Sequence, residues 1–328
     1  MLAARGDGGF FHTSVWARIL HETYRHEPAY FCVIAGGRLE VLLPIMEVRS
    51  WLTGKRGVSL PFTDFCPPLK SVGRGSDDLY ASAVEHGKSR GWRYLECRGH
   101  GGAWAGAKPS LGFYGHSISL QAGAEALFRG FESAMRRGIR KAEGAKLQVE
   151  FGGSRELVEA YYALHCLTRR KHGLPPQPKR FFQNIGRYAL EPGLGFIALV
   201  RLGKRAIAGM VFLCHGRQAI YKFGASDPGF QQLRPNNLLM WEGIKQCLAR
   251  GVETLHLGRT SLGHDGLRRY KLAFGAQEER IEYQKYDFGE SAFVMDADRT
   301  EGWFNLAFRA LPGPLLRMAG NLLYPHQS

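Results

Sequence analysis

Apolar positions along this chain switch between helical and extended spacing. Val15, Trp16, Ile19, Leu20 and Tyr24 share one helical face behind Thr13 or Ser14, either of which can cap the start, so the pattern predicts a helix through Tyr24. Apolar runs at 30–35 and 39–48 follow. Gly36-Gly37-Arg38 separates them, and a Gly-Gly pair between two such runs predicts a hairpin. Residues 59–70, SLPFTDFCPPLK, read as a Pro-rich strand and loop. A helix over 79–90 stops at Gly91, and a strand over 92–98 closes the unit.

The same order then recurs. Residues 156–171 form a helical pattern through Leu157, Tyr161, Leu164, His165 and Leu167, and 196–202 with 206–214 give a second hairpin with Gly203-Lys204-Arg205 at its tip. A helix over 237–250 ends at Gly251, and a strand runs over 254–258. The closing segments GWRYLECR and GVETLHLGR align in pattern, and the interval from hairpin glycine to helix-ending glycine differs only by a modest loop. A repeat of this size sets the fold class. The expected architecture is α/β (α+β) with two tandem domains, each a mixed, mostly antiparallel sheet flanked by helices. The first domain covers residues 1–123 and the second, with the candidate site, covers 124–290. Residues 291–328 form an amphipathic tail, within which 303–324 predict two short helices broken at Pro312-Gly313-Pro314, either packed on the body or resting on the inner-membrane surface.

Composition then narrows the partners. The chain has 328 residues and a formal charge of +15, with 44 basic against 29 acidic residues, which favours an anionic partner. Much of the excess lies in two stretches. One is 124–146, with Arg129, Arg136, Arg137, Arg140, Lys141 and Lys146. The other is 163–190, which has no Asp or Glu. The six cysteines show no CxxC and the histidines no HExxH, so no metal site and no disulfide framework is expected. No apolar run approaches the roughly 18–20 residues of a spanning helix, and the first residues lack an apolar signal region. A cytoplasmic location is the expectation.

Five segments carry a family resemblance: FFHTSVW (10–16), LPFTDFCPPL (60–69), MRRGIRKA (135–142), RPNNLLMWEGI (234–244) and GLRRYKLAFGA (266–276). In that order they make the chain similar to the FemAB-like branch of the GNAT acyltransferase superfamily, which includes peptidoglycan-bridge and exopolysaccharide-associated enzymes. The resemblance implies two GNAT-like domains and transfer of an acyl or aminoacyl group to an amine or hydroxyl of a cell-envelope precursor. It implies no tightly bound cofactor, with acyl-CoA or aminoacyl-tRNA as donor substrate and a phosphate-bearing peptidoglycan or exopolysaccharide intermediate as acceptor. It also assigns Lys271 the stabilisation of charge at the acyl centre. Two departures stand out: His256 sits where relatives carry an acid, and 231–237 (QQLRPNN) takes the place of a Gly-rich pyrophosphate loop.

The residue types suggest further roles. Arg234, Asn236 and Asn237 precede a helix, where free N–H groups and the helix dipole favour an anion, and either Asn can instead be the N-cap. Arg259 follows a strand end, Tyr221 and Lys222 lie on the strand before, and Arg137 and Arg140 belong to the basic stretch; all are substrate-binding candidates. For a proton acceptor, Asp227, Glu242, His256, His264 and Asp265 are available, and Asp265, in the loop before Lys271, is preferred. The competing reading is a non-catalytic binder of RNA or anionic membrane that keeps the duplicated fold. No helix-turn-helix or RRM-like signature supports nucleic acid, and DNA is not expected as a partner.

Overall fold

A computed structural model describes residues 6–71, 75, 77–99, 107–296 and 304–327. Its elements in chain order begin with α1 (Ser14–Tyr24), β1 (Glu27–Ala35), β2 (Arg38–Ser50), β3 (Gly54–Val58), β4 (Leu69–Lys70), α2 (Asp77–Arg90), β5 (Tyr94–Gly99) and β6 (Leu111–Ser119). Next come α3 (Gly123–Gly130), α4 (Ser133–Gly144), β7 (Gln148–Gly152), α5 (Arg155–Lys171), α6 (Lys179–Ile185), β8 (Gly195–Leu202), β9 (Arg205–His215) and β10 (Gln218–Ser226). The chain continues through α7 (Pro235–Ala249), β11 (Thr254–His256), β12 (Thr260–Ser261), α8 (Asp265–Leu272), β13 (Gln277–Asp287), β14 (Ala292–Phe293), α9 (Phe304–Ala310) and α10 (Gly313–Leu323).

The predicted hairpins and helix ends form where the glycines allow them. Gly36 and Gly37 take left-handed φ values of 54° and 72° at the β1–β2 turn, and Gly91 and Gly251 (67° and 74°) end α2 and α7. Among the described residues the strands join one continuous sheet along the path β1-β2-β3-β5-β13-β6-β11-β10-β9-β8-β7, with β4, β12 and β14 paired off it to β2, β6 and β13. Pairing is antiparallel except at β3–β5 and β10–β11. At the centre the halves interlock. β13, late in the chain, pairs with β5 of the first half, and β6 pairs with β11 of the second half, while β6 and β13 pair with each other. The two repeats therefore share one sheet instead of closing two separate ones. The division at residues 123 and 290 is our proposal for the chain's organisation, made with that exchange of strands in view.

Alternation along the strands sends side chains to two cores. On β9, Val211 and Leu213 join a core with Trp16 of α1, Tyr161 of α5 and Phe181 of α6, together with Met46, Leu60 and Cys66 from the first half. Met210 and Phe212 face the other way, into a core with Phe131, Ile139 of α4, Trp241 of α7 and Phe274. A smaller core under α2 gathers Tyr80, Trp92, Leu43 and Leu95. The FFHTSVW segment thus packs mainly on the second half.

The tail adopts the two predicted helices and docks. Leu316 and Tyr324 are buried, and Arg169 Nη2 donates to the Tyr324 hydroxyl at 2.8 Å. Gly320 is required at its place, because a Cβ there would lie 2.0 Å from the Pro176 carbonyl oxygen. Trp303, which opens the predicted tail pattern, and residues 1–5 lie outside the described residues. Among the described residues no helix is long and apolar enough to cross a membrane.

Candidate functional site

β10 and β11 run parallel only from Gln218↔Thr254 to Ile220↔His256. Beyond that, β10 stays with β9, whereas the chain after β11 turns through Leu257 and Gly258 to pair β12 with β6. A gap opens between them. Asp64, from the Pro-rich loop of the first half, fills it from the α1 side. Its Oδ2 accepts a hydrogen bond from Lys222 Nζ at 2.6 Å, and its Oδ1 accepts the Arg259 backbone N–H at 3.1 Å. Both side chains of the ion pair are buried. Burial alone raises a carboxyl pKa, but Lys222 and then Arg259 outweigh it and hold Asp64 at about 2. The Arg259 guanidinium lies over the Phe113 and Tyr283 rings and donates to the Tyr283 hydroxyl at 2.5 Å. That hydroxyl donates to the Asp64 carbonyl at 2.8 Å, and beside it the buried pair Arg98–Glu96 closes at 2.7 Å.

Lys271 reaches the same peptide segment from α8. It is 2% exposed, and its Nζ donates to the carbonyls of Gly258 at 2.7 Å and Arg259 at 3.1 Å. Burial, against the attraction of Asp64 and with the repulsion of Lys222, lowers its pKa to about 8. Two of its protons are thus used, and the third has no protein acceptor among the described residues. Two histidines frame this spot. The Gly258 N–H donates to His256 Nδ1 at 2.9 Å, so the ring proton sits on Nε2 and faces Glu279 Oε1 at 3.3 Å. Burial lowers the His256 pKa and keeps the ring neutral. His116 is fully buried, with Nε2 3.1 Å from Glu278 and a buried Nδ1 that has no hydrogen-bond partner among the described residues. Burial, with Lys271 nearby, pushes it down to about 4.

Of the predicted residues, the structure brings together Lys222, Arg259 and Lys271, and it adds Asp64, Tyr283, Arg98 and Glu96. The others lie apart from this cluster. Asp265, at the exposed start of α8, lines a cleft of about 1400 Å³ with Ser261, His264, Arg280 and Ser110. Tyr221 faces the opposite core, against Phe212. Arg234 is exposed at the α7 start with φ 58°, Asn236 Nδ2 meets Ser226 Oγ at 3.4 Å, and Asn237 packs against Gly138 of α4. Arg137 and Arg140 are exposed on α4, with Arg140 over the Phe128 ring. The expectation that Asn236 or Asn237 caps α7 is corrected: Arg234 is the N-cap residue and Pro235 fills the first helical position, so both asparagines lie inside the helix. Glu242 pairs with Lys245 at 2.7 Å, and Asp227 caps the turn at 228–233.

Comparison with known proteins now fits this geometry. Residues 129–272, which include Lys222, Arg259 and Lys271, match the acetyltransferase (GNAT) domain family model. That stretch is similar to GNAT acetyltransferase domains. The fold of the chain as a whole is similar to FemX, with TM-score 0.69 and 15% identity over 88% of this chain and 94% of that one. It is also similar to the C-terminal domain of a putative lysylphosphatidylglycerol synthetase from Agrobacterium fabrum (TM-score 0.56, 12% identity, 84% and 88% covered). A third likeness is to a tandem GNAT protein from the clavulanic acid biosynthesis pathway (TM-score 0.54, 11% identity, 84% and 88% covered). No curated protein matches the sequence. The parallel β10–β11 pair and the gap beyond it lie inside the matched stretch, and the interlocked sheet carries the FemX-like fold across both halves.

Proposed function

We propose that the protein transfers an acyl or aminoacyl group, from acyl-CoA or aminoacyl-tRNA, to an amine or hydroxyl of a phosphate-bearing envelope precursor in the cytoplasm. The observation that carries this reading is the Lys271 ammonium, buried within the stretch that matches the GNAT family model, on the Gly258 and Arg259 carbonyls, two residues before the cleft residue Ser261. In the reaction the acceptor lone pair attacks the acyl carbon, and the carbonyl electrons move onto oxygen. The resulting oxyanion then collapses and expels the CoA thiolate or the tRNA ribose oxygen, while the acceptor gives up one proton. The free Lys271 proton serves the oxyanion; a cation in a water-poor site is worth far more there than in bulk water.

Asp64 is a poor proton acceptor. A useful general base has a pKa near the working pH, and Asp64 sits at about 2 because Lys222 and Arg259 outweigh its burial. Its part is to hold Lys222 and the Arg259 peptide. The proton acceptor we propose is Asp265, which faces the cleft. Arg259, Lys222 and the exposed cations Arg137, Arg140 and Arg234 supply positive charge for a phosphate-bearing substrate or a tRNA backbone.

The test supplies radiolabelled acetyl-CoA or a labelled aminoacyl-tRNA mixture, each with a nucleotide-linked muropeptide or amino-sugar acceptor, and follows label into the acceptor. Transfer from one donor is expected, and Lys271→Met should lower its rate by about 10²–10³-fold, the usual loss for an oxyanion donor. If label moves from neither donor while the protein binds RNA or anionic lipid in a salt-dependent way, the non-catalytic reading replaces this one.

A further inference from the structure

Two elements that are remote in sequence expose apolar side chains side by side. The turn between β2 and β3 carries Trp51 at 85% exposure and Leu52 at 56%, and α10 carries Leu315, Met318 and Leu322 at 46%, 55% and 64%. Spacings of three and four put the α10 residues on one stripe, away from the docked Leu316 and Gly320. The elements meet at His326, four residues beyond Leu322. Its ring lies edge-on to the Trp51 indole at 5.2 Å, and its carbonyl accepts from Arg56 Nη2 at 2.7 Å.

Cations flank the stripe. Lys55 and Arg93 border the Trp51 turn, where Arg93 Nη1 donates to the Thr53 carbonyl at 3.3 Å. Between α5 and α10 lies a cavity of about 680 Å³, whose lining combines Tyr162, Leu167 and Leu316 with Arg170, Lys179 and Arg317. A second copy of this chain would carry the same overall formal charge of +15 and the same flanking cations, and like charge opposes that contact. A surface with apolar depth and negative charge suits it instead. Tryptophan favours the membrane–water interface, and an amphipathic helix with basic flanks lies in that plane.

We propose that this edge docks the protein on a bilayer containing anionic phospholipid, with Trp51, Leu52 and the α10 stripe entering the interfacial layer and the flanking cations meeting lipid phosphates. The proposal goes beyond the transfer reaction and does not depend on it. It is tested with the full chain by co-sedimentation with phosphatidylcholine vesicles, with and without about one-third phosphatidylglycerol, at near-physiological salt. Binding to the anionic vesicles is expected, with at least a tenfold weaker partition for Trp51→Ser/Leu52→Ser and for Met318→Ser/Leu322→Ser. Both variants alter exposed side chains, so their thermal melts should match the parent. If one variant does not fold, quenching of tryptophan fluorescence by brominated lipid decides: the parent should be quenched and Trp51→Phe should lose that quenching. The proposal falls if anionic vesicles do not bind, if both variants bind as the parent does, or if sedimentation velocity shows that the substitutions dissolve a dimer instead.

Discussion

Lys271 and Asp64 hold one short peptide segment by its opposite ends of polarity. The ammonium takes the Gly258 and Arg259 carbonyls, and the carboxylate takes the Arg259 N–H. Titrating Lys271 should therefore show in stability as well as rate. Burial lowers its pKa from 10.5 to about 8, so between those values the unfolded chain binds more protons than the folded one. Stability from this group accordingly rises with pH across that window, by on the order of 3 kcal/mol, while transfer that needs the ammonium falls as pH passes about 8. Urea unfolding from pH 7 to 10.5 checks the first trend, and Lys271→Met should flatten it; initial rates check the second. Asp64→Asn is expected to cost about 3–5 kcal/mol, since it leaves Lys222 buried without its counter-charge, and Asp64→Asn/Lys222→Met should recover part of that loss in the same unfolding assay. Lys222, Arg259 and Lys271 were legible because they lie in one GNAT-patterned stretch. Asp64 was not, although LPFTDFCPPL was singled out, because its partner is 158 residues away and nothing in the local pattern announces that contact.

At the scale of elements, legibility followed local physics. Hairpins marked by Gly36-Gly37 and Gly203, helices stopped by Gly91 and Gly251, and the Pro-broken tail all appear where glycine and proline chemistry places them. The α7 start was misread because two asparagines are good caps by type, while Pro235, just before them, is better suited to the first helical position. As a result Asn237 turns inward to Gly138 of α4, where a Cβ would lie 2.4 Å from its Nδ2, and the helix start offers fewer side-chain donors to an anion than its composition suggests. The basic stretch at 124–146 divides into α3 and α4, whose junction Phe131 is buried against Trp241 and Phe274. Arg129, Arg137 and Arg140 remain on the exposed face.

Across the molecule, the repeat was visible in sequence but the exchange of strands was not, since pairing partners for β6 and β13 depend on which half reaches them. This bears on where the chain can be cut. A fragment of residues 124–290 would lack β6 and leave β11 and β13 with open edges, a recognised route to aggregation. A fragment of residues 107–290 keeps β6 between them. Size-exclusion chromatography is expected to show a larger monodisperse fraction for the longer piece; equal behaviour would mean that the sheet junction matters less than its hydrogen bonds indicate.

The exchange also has a consequence in time. When β5 leaves the ribosome, the strand that will cover its edge is encoded about 190 residues downstream, and at ordinary elongation rates of about 5–20 residues per second it arrives roughly 10–40 s later. Throughout that interval the first half carries an unsatisfied edge in the crowded cell. Nascent chains of this protein should therefore be clients of ribosome-associated chaperones until Asp287 has emerged.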